Sequence, residues 1–177
     1  MRLGLLIIGI IICSFSMAQD NATRTGILVE FEFQLFNSKP GENRTANQDP
    51  GLMLSFLHPL NGHLAAGLGT GICSPYYTAS LMPVYGELVY WPNSNSGIHC
   101  KSRWGKVIPT NPDQFNGGSY LELGLGWEIK TKSETVFTIG SGYTHQRMTS
   151  ERNDIWWGNR TTEYRFNRAV FSLGMRF

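Results

Sequence analysis

The feature that most constrains this chain is an alternation of apolar and polar residues with a period of two, sustained over whole segments. Between Gly26 and Phe36, Val29, Phe31, Phe33 and Leu35 share one face, and Glu30, Glu32 and Gln34 share the other. Tyr120 to Lys130 sets Leu121, Leu123, Leu125, Trp127 and Ile129 against Glu122, Gly124, Gly126 and Glu128. At the end of the sequence Ala169, Phe171, Leu173, Met175 and Phe177 alternate with Arg168, Val170, Ser172, Gly174 and Arg176. Successive side chains of a β-strand point to opposite faces, so this pattern specifies strands with one apolar face. No stretch after residue 18 carries the 3.6-residue period of an amphipathic helix, and the expected class is all-β.

Five weaker segments complete a set of eight strands: 50–58, 63–72, 81–91, 98–106 and 135–148. Pro83 has no N–H to give a ladder and is expected near a strand end or a bulge. The segment with Leu52, Met53, Leu54, Phe56 and Leu57 is apolar on both faces, which leaves its register open. The connectors alternate in length. Pro59-Leu60-Asn61-Gly62 and Pro92 to Gly97 are turn chemistry, whereas 37–49, 73–80, 107–118 and 149–162 are longer and polar. In an up-and-down barrel that alternation gathers the short turns at one end and the long loops at the other, the layout of an antiparallel transmembrane β-barrel with periplasmic turns and external loops.

The opening residues read as an export signal spanning 1–18. Arg2 supplies the positive start, Leu3 to Cys13 an apolar run, and Ser16-Met17-Ala18 small residues at the cleavage positions, so the mature chain is expected to begin at Gln19. The run is shorter than the ~20 residues of a spanning helix. A lipid anchor on Cys13 is disfavoured by Ile12 where a small residue is needed. The remaining 19–177 fits one domain, and a formal charge of only +2 lacks the electrostatic footprint of a nucleic-acid binder.

A soluble, lipocalin-like ligand-binding barrel would also fit this length, and the two architectures differ in which face is inside. One face carries Glu30, Glu32, Glu87, Lys101, Arg103, Glu122, Glu128, Arg168 and Arg176 among many glycines, including Gly67, Gly69, Gly71, Gly124, Gly126, Gly140 and Gly142. That mixture suits a crowded interior in which long charged side chains need small neighbours. The opposite face is large and aliphatic or aromatic, as a lipid belt is. The expected fold is an eight-stranded antiparallel up-and-down transmembrane β-barrel.

The ending Ala169 to Phe177 resembles the terminal strand of bacterial outer-membrane β-barrel proteins, with its alternation and final aromatic, although Ser172 stands where many such strands carry glycine. Leu81 to Trp91 is similar to the fourth strand of that family's small barrels, and Tyr120 to Ile129 with Thr135 to Tyr143 to one of its glycine-bearing strand pairs. The resemblance implies location in the bacterial cell outer membrane. It also implies outer-membrane lipid as surroundings and recognition by the barrel assembly machinery through the C-terminal strand and Phe177. It implies no reaction.

Eight strands leave a lumen about filled by side chains, so the nine interior charges, five acids and four bases, read as a mutually paired plug or, alternatively, as a solute path. A lipid A deacylase-like hydrolase is the main enzymatic alternative. Its best candidates are His145, Ser150 and Glu151, but Arg147 stands where that pattern has serine. His58, His63 and His99 are scattered and form no metal cluster, no helix follows the glycine pairs to make a phosphate loop, and no cofactor is expected. Tyr76, Tyr77, Trp156 and Trp157 read as an interfacial girdle or as a contact surface for an external partner or glycan. The sequons at Asn21, Asn43 and Asn159 are read as coincidence in a bacterial chain. Cys73 is expected at the external end of its strand and Cys100 near the periplasmic end of another, too far apart for a disulfide.

Overall fold

The computed structural model describes residues 26–38, 48–76, 79–93, 97–111, 115–131, 135–154 and 158–177. Eight strands follow in chain order: β1 (Leu28–Ser38), β2 (Gln48–Asn61), β3 (Leu64–Tyr76), β4 (Ala79–Tyr90), β5 (Ile98–Pro109), β6 (Gly118–Lys130), β7 (Val136–Asp154) and β8 (Gly158–Arg176). Each pairs antiparallel with the next, and β8 pairs with β1 to close the barrel. Closure leaves no free sheet edge across the wall, the condition for strands to stand in hydrocarbon. The seam extends to the last residue, where Val29 and Phe177 exchange backbone hydrogen bonds of 3.2 and 3.0 Å.

One lateral row shows the geometry. Starting from Ser38, successive partners are Arg168, Thr144, Glu122, Arg103, Glu87, Gly67 and Leu57, and the row returns to β1 at Leu28, ten positions below its start. That stagger accompanies strands tilted by about 35–45° to the barrel axis. The row also places Glu122, Arg103 and Glu87 side by side on three adjacent strands.

Two of the expected long loops are strand. Residues 73–80 supply the end of β3 and the start of β4, leaving 77–78 between them, and 149–162 belongs mostly to β7 and β8, leaving 155–157. Of the expected loops 37–49 and 107–118, residues 37–38, 48–49, 107–109 and 118 likewise belong to strands. Pro83 stands well inside β4 rather than near its end, facing the lumen; the β3 partner series passes from Thr70↔Val84 directly to Cys73↔Leu81 at that point. The ladder yields opposite the residue that has no N–H to give.

The strands β7 and β8 outgrow the wall. β1 stops pairing with β8 at Arg168, and β6 stops pairing with β7 at Tyr120↔Gln146, yet β7 and β8 continue to pair with one another up to Asp154↔Gly158. Beyond one further bridge, Asn116↔Thr149, they form a two-stranded ribbon above the rim. Counted from the Gln146↔Phe166 rung, where the β6 ladder ends, eight residues per strand correspond to a reach of about 26 Å.

Candidate functional site

Burial separates the two faces without ambiguity. The outward set includes Phe33, Leu52, Phe56, Leu68, Trp104, Leu123, Leu125, Trp127, Phe171 and Leu173, all exposed, while the inward set includes charged residues from five strands. A soluble barrel has the reverse arrangement. So large a contiguous apolar exterior is compatible with lipid and not with water. The register of β2 follows from this: Met53, Ser55 and Leu57 point in, Leu52 and Phe56 out.

All nine charged side chains of the polar face lie inside and are at most 6% exposed. Arg103 is the hub. Its Nη2 lies 3.0 Å from Glu32 and 3.1 Å from Glu87, and its Nη1 lies 3.0 Å from Glu122, while the guanidinium stacks 5.0 Å from the Tyr85 ring centroid. Lys101 binds Glu32 and stands 3.5 Å from Glu30. Arg176, at the end of β8, joins Glu30 to Glu128 and lies over Trp91, whose indole N–H donates to Glu128 at 2.7 Å. Arg168 stands apart, 3.6 Å from Asp49 and stacked 4.1 Å above Phe36.

Neutral groups complete the layer. Gln34 donates to Glu32 at 2.5 Å and to Glu122 at 3.1 Å, the Tyr120 hydroxyl donates to Glu122 at 2.5 Å, and Ser55 donates to Glu87. Glycine makes room for the rings: a Cβ on Gly69 would strike Tyr85, and one on Gly126 would strike His99. Gln34 was visible on the polar face of its segment. Asp49 was hidden in a stretch that reads as loop, whereas Tyr85 and Trp91 share the parity of Glu87, and Tyr120 that of Glu122.

Two apolar clusters bound the ionic layer. Toward the termini lie Leu28, Leu57, Ala65, Val89 and Trp91. Toward the ribbon lie Phe36, Met53, Cys73, Leu81, Tyr85, Val107, Tyr120, Met148 and Val170, with Phe115, Tyr164 and Phe166 packed on them.

The hydrolase candidates do not meet. His145 and Ser150 lie on opposite faces of β7, roughly 16 Å apart along the strand at the usual rise, and the His145 ring contacts Asn167 at 2.6 Å. His63 is engaged with the Trp91 carbonyl at 2.9 Å, His99 is buried 4.0 Å from Glu128, and His58 points outward. Cys73 faces the lumen, Cys100 faces outward, and both thiols are free. Tyr77, Trp156 and Trp157, the side chains of Tyr76 and Glu151, and the signal segment lie outside the described residues.

On the outer face of the ribbon's base, above the apolar belt, Arg147 and Arg165 both engage Glu163. Their donated hydrogen bonds hold the Glu163 carboxyl at about 2, below its ordinary 4.5. Just beneath, the Tyr143 hydroxyl donates to Asn167 at 2.8 Å.

No protein-family model matches the sequence, and no curated protein matches it either. Solved structures do match by fold. The outer-membrane protein AlkL, determined in lipid bilayers, superposes with a TM-score of 0.60 at 10% identity over 91% of this chain and 93% of its own. Neisserial surface protein A gives 0.60 at 10% identity over 86% and 96%, and OprG from Pseudomonas aeruginosa 0.52 at 13% over 87% and 97%. By its closed eight-stranded topology and the polarity of its two faces, the chain has the fold of the small transmembrane β-barrels of bacterial outer membranes.

Proposed function

We propose that the protein is a bacterial outer-membrane barrel with a sealed lumen, exported by its first 18 residues, whose role is structural or interactive at the external surface rather than catalytic. The carrying observation is the layering of the interior: paired charges spanning the bore, with an apolar cluster above and below. An ion crossing this bore would have to displace Arg103 from three carboxylates and then pass the side-chain packing of the two apolar clusters. The ribbon formed by β7 and β8 supports the surface role, because it carries backbone and polar side chains beyond the wall on a rigid base. With short turns and both ends of the barrel domain on the periplasmic side, the ribbon faces outward from the cell.

Planar-bilayer recording of the folded protein tests the seal: the expectation is no steady conductance, and open-pore currents in most insertions would overturn the reading. The proposed contact of the assembly machinery with the last strand has its own test. Deleting Phe177 should leave export intact and lower the amount of heat-modifiable barrel in the outer membrane; a normal amount would remove that role.

A further inference from the structure

The outward column of β5 contains an anomaly. Trp104 and Ile108 are both about half exposed and belong to the apolar belt, yet Lys106 stands between them on the same face, itself exposed. Among the described residues Lys106 has no ion-pair partner. A cation on a lipid-facing surface reaches for the interface or for an anion.

Its lateral neighbours supply a setting for an anion. Lys106 pairs with Ser119 on β6; the Tyr120↔Gln146 rung below sets Ser119 beside Arg147 on β7; and Arg147 pairs with Arg165 on β8. At the ordinary strand spacing Arg147 lies about 10 Å from Lys106 across the wall, and Arg165 about 5 Å further. The two arginines share the single carboxylate of Glu163, so three cations face one acid, and their exposed guanidiniums retain N–H donors beyond those used on Glu163. Beside Lys106 opens a cleft of about 560 Å³ lined by Gly105, Lys106, Ile108, Gly117, Gly118 and Ser119. Ser119 is exposed there. The patch lies at the upper edge of the belt, the level at which headgroups meet the wall.

We propose that this patch binds the phosphate of an anionic lipid headgroup in the external leaflet, with Lys106, Arg147 and Arg165 as its cationic ligands and Ser119 as a neutral donor. The proposal rests on the membrane-barrel reading with the ribbon outside. The arginine forks suit phosphate oxygens, and Glu163 holds both of them at the surface before lipid arrives. Acyl chains below the headgroup would lie against Trp104, Leu121 and Leu123.

The test folds the full mature chain into phosphatidylcholine vesicles doped with diphosphoryl lipid A or with the same lipid enzymatically stripped of phosphate, then counts retained lipid by native mass spectrometry. The expected result is preferential retention of the phosphorylated lipid. Each of Lys106→Gln, Arg147→Gln and Arg165→Gln should weaken it about fivefold and the triple variant on the order of a hundredfold, while Lys130→Gln, an exposed lysine at the opposite end of the wall, should leave it unchanged. Equal retention of both lipids, or a triple variant that binds like the parent, overturns the site while the barrel stands. Displacement of the lipid by inorganic phosphate assigns the patch to free phosphate and overturns the headgroup assignment. Failure to insert into either vesicle overturns the membrane reading itself.

Discussion

Two ion clusters in this barrel use the same chemistry in opposite surroundings. Inside, Arg103 sits between Glu122 and Glu87 on neighbouring strands, with Glu32 as a third partner, and none of the four side chains is more than 3% exposed. Outside, Glu163 sits between Arg147 and Arg165, which are 47% and 61% exposed. The inner cluster has given up its water and depends on completeness, because any member left alone is a buried charge. The outer cluster trades its contacts against water and salt, and its loss costs little. Proximity of opposite charges therefore says little about stability until burial is known.

The largest expected effect comes from breaking the inner hub. Arg103→Met leaves three buried carboxylates without their shared partner and should destabilise the folded barrel by about 3–5 kcal/mol, measured as the urea midpoint for folding into vesicles. A loss no larger than that of an exposed pair would make the inner cluster equivalent to the outer one and end the comparison.

A second test moves the charge one residue, from the lumen to the lipid. Leu123 is 52% exposed on the belt and Glu122, its neighbour, is buried. Leu123→Arg should cost about 2–4 kcal/mol if it lies near the midplane. Glu122→Gln should cost less, since the amide still offers an oxygen to Tyr120 and removes one of five acids rather than one of four bases. Comparable losses in the same urea titration would mean that the lumen tolerates changes of charge no better than lipid does.

What the sequence revealed, and what it concealed, divides along the same boundary between lipid, lumen and water. Strands β1, β6 and β8 were plain wherever one face meets lipid and the other meets charge, as at Glu30-Phe31-Glu32-Phe33. The strand identity of 149–162 was invisible because its sequence does not alternate, and at its described end Thr161, Thr162 and Glu163 are exposed on both faces. β2 failed for the opposite reason. Met53 and Leu57 point inward into the two apolar clusters while Leu52 and Phe56 point outward into lipid, and a strand apolar on both faces carries no register. The charged set was readable by parity alone, whereas the pairing of Arg103 with Glu122 and Glu87 required the stagger of the strands, which no local pattern encodes.

The smallest expected effect belongs to Glu163. Its carboxyl is held at about 2 by hydrogen bonds from Arg165 and Arg147, below its ordinary 4.5. A carboxylate depressed in the folded state adds stability above its unfolded value and gives it up as pH falls from about 4.5 through about 2. Both partners are open to solvent, so the amount at stake is set by screened contacts. Side-chain carboxyl NMR should find Glu163 titrating near the lower figure, and either Arg147→Gln or Arg165→Gln should move it back toward the upper one, as should high salt. The urea midpoint of Glu163→Gln at neutral pH should coincide with that of the parent. A shift as large as that of Arg103→Met would show that the ribbon's base is part of the fold's stability rather than a surface mounted on it.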